Sequence, residues 1–240
     1  MGAAATVSPE QTGTLFVVSL PVGDPEDITL RALRILRSAS LIVAEDSAVT
    51  RRFLDYYQLA TDIVSQRPRY GNPAHVAGLE RLSQGREVAL VADCGTPALV
   101  DPGLGLIQAA LHYGHRVTAV PGASACLAAL VISGMPTTPF AFLGYPPRRD
   151  PERTEFFARL SANRSTFVLY ETPLCLRSTL TELGRRLGEN RKIVAACDIT
   201  HTKERIFRGT ISEAVSWFQG NRLPGAITLV IAGTPPCAVL

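Results

Sequence analysis

The sequence has no Cys-x-x-Cys pair, no glycine-rich phosphate signature of either the G-x-x-x-x-G-K or the G-x-G-x-x-G kind, and no apolar run of the ~18 residues a membrane span needs. Its five cysteines, Cys94, Cys126, Cys175, Cys197 and Cys237, are odd in number and scattered. That argues against a disulfide framework or a structural zinc site and points to a reducing compartment, the cytoplasm. Only His112 and His115 of the four histidines stand close together, with no carboxylate or thiol beside them. No metal is expected there, and both read as surface histidines at a helix end. The opening Met-Gly-Ala-Ala-Ala-Thr lacks the basic segment of a secretory leader. Neither repeats nor low-complexity tracts occur. A net charge of +3 is too small for nucleic-acid binding by bulk charge alone, so RNA is permitted and not demanded. With 46% hydrophobic and 19% charged residues, the chain has ample material for a folded core.

What is present is an alternation. Apolar β-rich runs cover residues 14–20, 41–44, 87–92, 117–120, 166–170, 193–196 and 227–232, separated by helical stretches. Several runs are unbroken, as in strands covered on both faces, so the expectation is α/β layering. Three helix starts are marked. Asp24-Pro25-Glu26-Asp27 offers a cap, a first-position proline and acidic residues, with Ile28, Ala32, Leu33, Ile35 and Leu36 on one face. Asp101-Pro102 repeats the device, and Gly114 closes that helix. Pro121-Gly122-Ala123-Ser124 opens a helix running to Ser133, closed by Gly134 and apolar all round. Such a helix must be covered by layers, domains or subunits. Residues 1–12 read as a disordered tail, 13–120 as an N-terminal α/β domain and 121–240 as a C-terminal one. A basic loop, Gly144-Tyr145-Pro146-Pro147-Arg148-Arg149, marks a second hinge before a charged helix over 152–160.

Three segments carry chemistry. Leu20-Pro21-Val22-Gly23-Asp24 is a tight turn between a strand and a helix. Asp93-Cys94-Gly95-Thr96-Pro97, followed by Asp101-Pro102-Gly103, places a carboxylate at the end of a buried strand, where ligands bind in open α/β sheets. That carboxylate can accept hydrogen bonds from an amine or from ribose hydroxyls. Val120-Pro121-Gly122-Ala123-Ser124-Ala125 also sits at a strand end, where Ser124 serves as helix cap or ligand contact.

Taken in order with Asp27-Ile28-Thr29, Ala44-Glu45-Asp46, Tyr170-Glu171-x-Pro173 and Thr200-x-x-x-Glu204, these segments resemble the tetrapyrrole-methylase superfamily. More narrowly they resemble its ribosomal RNA branch, which methylates a cytidine ribose 2′-hydroxyl in small-subunit rRNA. The similarity spans residues 13–233. It implies two α/β domains with a cofactor cleft between them (a class III methyltransferase), usually a homodimer, using S-adenosyl-L-methionine. Carried over by position, the donor contacts fall on Val22, Asp93, Thr96, Ser124, Ala125, Tyr170, Ile199 and Ile227, largely through backbone.

The chain departs from the branch on the substrate side. Ser47-Ala48 stands for Thr-Arg, Leu174-Cys175 for His-Arg, Cys197-Asp198 for Arg-Glu and Gly225-Ala226 for Gly-Glu, and the C-terminal extension of many relatives is missing. A ribose hydroxyl is weakly acidic, so transfer to it calls for a proton acceptor, and Glu45, Asp46 and Glu171 are the candidates. Arg51, Arg52, Arg148, Arg149 and Arg177 are candidates for phosphate contacts, against the plainer reading of a solvated basic face. The alternatives are a methyltransferase for a tetrapyrrole or other small molecule, and a donor-binding interaction protein without turnover.

Overall fold

The computed structural model describes residues 12–66, 72–161, 163–220 and 225–233; the expected tail falls almost wholly outside them. The chain packs as two units that divide between Ser124 and Ala125, where the sequence suggested Val120/Pro121.

The first unit is a five-stranded, all-parallel sheet. Its strands are β1 (Thr14–Val18), β2 (Leu41–Ala44), β3 (Ile63–Ser65), β4 (Val88–Val91) and β5 (Arg116–Val120), in the order β3-β2-β4-β1-β5. The unbroken apolar runs now have a cause. Phe16, Val18, Ile42, Ala44, Ala89 and Val91 point to one face, against Ala32, Ile35, Leu36 and Leu54. Those four belong to α1 (Leu30–Ser38) and α2 (Ser47–Tyr56). Leu15, Leu41, Val43, Val88 and Leu90 point to the other face, against Ala74, Leu82, Leu106 and Ala110. Those come from α3 (Pro73–Ser83) and α4 (Leu104–His112). With helices on both faces, the central strands β2 and β4 are buried at every position, so period-two polarity is absent there.

The second unit has a mixed sheet of β6 (Phe140–Phe142), β7 (Thr166–Glu171), β8 (Lys192–Cys197), β9 (Arg205–Thr210) and β10 (Ile227–Ile231), in the order β6-β7-β10-β8-β9. The last strand inserts antiparallel between β7 and β8. One face packs Phe167, Leu169, Ile193, Ala195, Leu229 and Ile231 against three helices, α6 (Glu152–Leu160), α7 (Pro173–Leu187) and α8 (Ile211–Gly220). The other face receives α5 (Ala125–Ile132), which packs on β7 and β10.

Several local expectations are corrected. Asp24 caps only a 3-10 turn over Pro25–Asp27; the chain extends at Ile28, and α1 starts afresh with Thr29 as its cap, accepting from Ala32 N–H at 3.1 Å. Asp101-Pro102 does not begin α4. Gly103 does, at φ 131, because a Cβ there would lie 2.9 Å from Leu90. The all-apolar α5 is covered on one side only: Cys126, Ala129 and Leu130 are buried while Leu127 and Val131 are 52% and 69% exposed. His112 is exposed but His115 is buried, so only one of the pair is a surface histidine. Strands β3, β6 and β9 were not anticipated; the first two are three residues long, too short to show a period.

Candidate functional site

In the first unit all five strands are parallel, so the loops leaving β1, β2, β4 and β5 open on one edge. Neighbouring β1 and β4 send their next helices to opposite faces, α1 to one and α4 to the other. Backbone therefore diverges at that point, the topological position at which open α/β sheets bind ligands.

The loops there are tied together. Leu20 N–H donates to the Gly95 carbonyl at 2.9 Å and Gly95 N–H returns to the Leu20 carbonyl at 3.1 Å. The Ser19 and Thr96 hydroxyls lie 3.0 Å apart, and Thr96 Oγ1 donates to the Ala123 carbonyl at 3.3 Å. Thr96 thus joins the exits of β1, β4 and β5. Gly95 has φ 67 and Ala98 φ 62, so the Asp-x-Gly-Thr-Pro loop holds two left-handed residues in four positions. Only glycine fits at Gly122, where a Cβ would stand 2.9 Å from that of Ser19. Val22 is half-buried beside Gly95, its Cγ2 3.8 Å from where a Cβ on that glycine would sit. Ser124, also half-buried, ends the unit.

Carboxylates gather at the exits of β2 and β4. Asp46 N–H donates to Asp93 Oδ1 at 3.0 Å, and Asp93 N–H to Glu45 Oε2 at 3.3 Å. The Asp46 carboxylate also caps α2, accepting from Ala48 N–H at 2.8 Å. Burial, with Glu45 and Asp93 nearby, pushes the Asp101 carboxyl up to about 6. A carboxyl that far up holds a proton in the folded chain which the unfolded chain has released, so it lowers stability as the pH rises from about 4 through about 6. Asp101→Asn should therefore stabilise the protein by on the order of 1 kcal/mol at pH 8, after discounting for partial solvent screening. The gain should shrink to less than half of that at pH 4.5. Urea unfolding at both pH values checks this, and an equal gain at both would contradict it.

In the second unit the Tyr170 hydroxyl accepts from Cys126 N–H at 3.1 Å, satisfying a first-turn amide of α5, which begins at Ala125. Glu171 is 5% exposed. Its carboxylate accepts from Thr172 N–H at 2.7 Å and from the Thr179 hydroxyl. Both bonds lie within the unit, one just before α7 and one near its middle. Ile199 and Ile227 are buried, and the loop between β8 and β9 is held in an uncommon form: Asp198 and Thr200, on either side of Ile199, have φ 49 and 62. Asp198 Oδ1 accepts from both Gly225 and Ala226 N–H at 2.9 Å, fixing the entry to β10.

Of the arginines, Arg51 is committed elsewhere, donating to the Leu59 and Thr61 carbonyls. Arg52, Arg148, Arg149 and Arg177 are exposed. Sequence reasoning missed Ser19 and the clamp of Asp198. Nothing in residue type marks a non-glycine left-handed position, though the proximity of Ser19 to a strand end was a usable signal.

The family model of the Tetrapyrrole (Corrin/Porphyrin) Methylases matches residues 14–215. The chain is 36% identical over 224 residues to Ribosomal RNA small subunit methyltransferase I of Halalkalibacterium halodurans, covering 93% of this chain and 77% of that protein. The Thermotoga maritima protein of the same name is also 36% identical, over 92% of this chain and 99% of its own. A uroporphyrin-III C-methyltransferase from Thermus thermophilus, solved in complex with S-adenosylhomocysteine, superposes with a TM-score of 0.63 at 23% identity, covering 91% of this chain and 96% of that one. The chain belongs to the tetrapyrrole methylase family.

Proposed function

We propose that this protein is an S-adenosyl-L-methionine-dependent methyltransferase that modifies a cytidine ribose 2′-hydroxyl in small-subunit ribosomal RNA. The observation that carries the reading is the cross-linked set of loops at the β1/β4 switch point, built on the residues that resemble the family's donor site. The names of the relatives, matched over more than nine-tenths of the chain, support the RNA acceptor. The Thermus neighbour's S-adenosylhomocysteine supports the donor.

The donor supplies a methyl group on a sulfonium. The acceptor oxygen attacks that carbon in line, the carbon–sulfur bond breaks with its electron pair going to sulfur, and the hydroxyl proton leaves. The chain's part is to hold the donor largely through backbone groups, as the resemblance implies, and to align the acceptor. A group of ionised carboxylates favours a cationic donor over its neutral product. Glu45 and Asp101 are the proton acceptors we favour. Asp46 caps a helix and Glu171 is enclosed by its own unit, so both act in support.

The exposed apolar side of α5, with Leu127 and Val131, fits a second copy of the chain, making the protein a homodimer. Sedimentation equilibrium should return twice the chain mass. Among the described residues no helix is long and apolar enough to cross a membrane and no group of three ligating side chains could hold a metal. An acceptor in the small ribosomal subunit puts the proposed reaction in the cytoplasm.

The test is transfer of labelled methyl from S-adenosyl-L-methionine to small ribosomal subunits lacking the modification. Label in a ribose of the RNA is expected. Label only in a porphyrinoid acceptor would move the assignment to a small-molecule methylase, and donor binding without transfer would leave an interaction protein.

A further inference from the structure

The loop after β6 in the second unit carries an exposed ring. Phe142, Tyr170 and Tyr145 form a ladder of rings, with centroids 4.8 Å and 5.6 Å apart and both pairs edge to face. Tyr145, at the end of the ladder, is 50% exposed. A tyrosine that projects from a loop usually does so because the loop is loose. This loop is held at both ends. Tyr170 N–H donates to the Gly144 carbonyl at 2.9 Å, and Gly144, at φ 65, turns the chain outward. Arg153 donates to the Pro147 carbonyl at 2.9 Å and is itself fixed by Thr179 at 3.1 Å and by the Phe157 ring, 4.9 Å from its guanidinium. Just beyond the ring, Arg148 and Arg149 are exposed. The one acidic residue beside them, Asp150, caps α6 through Thr154 N–H and Oγ1.

We infer that Tyr145 is a stacking platform for an unpaired nucleobase of the RNA, with Arg148 and Arg149 holding the phosphates on either side. A fixed aromatic ring flanked by two solvated guanidinium groups is what single-stranded nucleic acid recognises without regard to sequence: the ring takes a base face and the cations take the backbone. An ordered ring also loses little side-chain entropy on binding, which a floppy one would. The inference rests on the RNA reading above.

The probe is a labelled ~12-nucleotide oligocytidylate, within the site sizes such surfaces cover, titrated into the full chain at several salt concentrations. Wild type should bind. Tyr145→Ala should bind about tenfold more weakly, and Tyr145→Phe, which keeps the ring, within about twofold of wild type. Arg148→Ala with Arg149→Ala should lower the slope of log affinity against log salt by about 1–2. S-adenosylhomocysteine affinity, measured in parallel, should be unchanged in all of these variants, which shows them to be folded. Equal oligonucleotide affinity for wild type and Tyr145→Ala overturns the platform. So does an equal loss in Tyr145→Phe, which would implicate the hydroxyl, and so does a wild type that ignores the oligonucleotide. The transfer of label to ribosomal subunits judges the RNA reading separately, so the platform can fail while that reading stands.

Discussion

Asp198→Ala is expected to weaken S-adenosylhomocysteine binding about tenfold and to leave kcat at saturating donor close to wild type. The reason is mechanical. Asp198 Oδ1 takes two consecutive amides, Gly225 and Ala226 N–H, each at 2.9 Å, and so locks the loop after β8 to the start of β10. The buried Ile199 and Ile227, which the family resemblance gives to the donor, sit immediately next to those two anchor points. Hydrogen bonds to a charged acceptor contribute about 1.5–3 kcal/mol each when protected and less near solvent, so losing the pair is worth at least one decade of affinity. Asp198 also has φ 49, where a Cβ is disfavoured, so alanine carries a second penalty that glycine does not. Three variants separate the two effects. Asp198→Asn keeps an acceptor oxygen and tolerates the left-handed backbone, and should bind nearly as wild type. Asp198→Gly relieves the backbone but loses the acceptor, and should bind weakly, though less so than alanine. If glycine binds like wild type while alanine does not, backbone strain rather than the clamp accounts for the loss. A KM that rises with kcat unchanged distinguishes loop positioning from general damage.

Glu171→Ala should destabilise the protein by about 2–4 kcal/mol, because two buried donors, Thr172 N–H and the Thr179 hydroxyl, lose their only carboxylate acceptor. At about 2–4 °C per kcal/mol for a chain of this size, the melting temperature should fall by roughly 4–16 °C. Glu171→Gln keeps an acceptor oxygen for Thr172 N–H and turns its amide toward Thr179, whose hydroxyl can accept instead. That variant should lose under about 1 kcal/mol and keep its rate of transfer. The resemblance drew attention to Glu171 as a proton acceptor. Its place inside the second unit, 5% exposed and twice bonded, argues for a structural part. A Glu171→Gln enzyme that melts normally yet transfers methyl a hundredfold more slowly, with a changed pH profile, would restore it to the chemistry.

How much of this was legible beforehand differs by element. The strands at Leu41–Ala44 and Val88–Val91 stood out because burial on both faces removes polar residues altogether. The edge strand Arg205–Thr210 hid because Arg205, Arg208 and Thr210 interrupt the apolar pattern. Helix starts misled for a related reason. Asp24-Pro25 and Asp101-Pro102 are good local caps, but where each helix begins is decided by what its backbone meets. Thr29 takes over at α1, and Gly103, pressed on Leu90, at α4. Asp93 and Thr96, donor contacts in the proposed function, announced themselves in a short turn after an apolar run, as Gly122 did in the next such turn. The reciprocal bonds of Glu45, Asp46 and Asp93 did not, since residues nearly fifty apart in sequence meet only when β2 pairs with β4. The half-exposed α5 is legible in neither direction: its composition says buried, and the single chain leaves Leu127 and Val131 in water.

The most direct test is calorimetric titration of the pure protein with S-adenosylhomocysteine, alongside Gly122→Val, whose new side chain would drive the exits of β1 and β5 apart at Ser19. One saturable site per chain is predicted for wild type, with a heat that grows more favourable on warming as apolar surface is buried, and no site for the variant. Absence of heat at two temperatures, with no rise in melting temperature at high ligand, would contradict the donor site; undiminished binding by Gly122→Val would place it elsewhere.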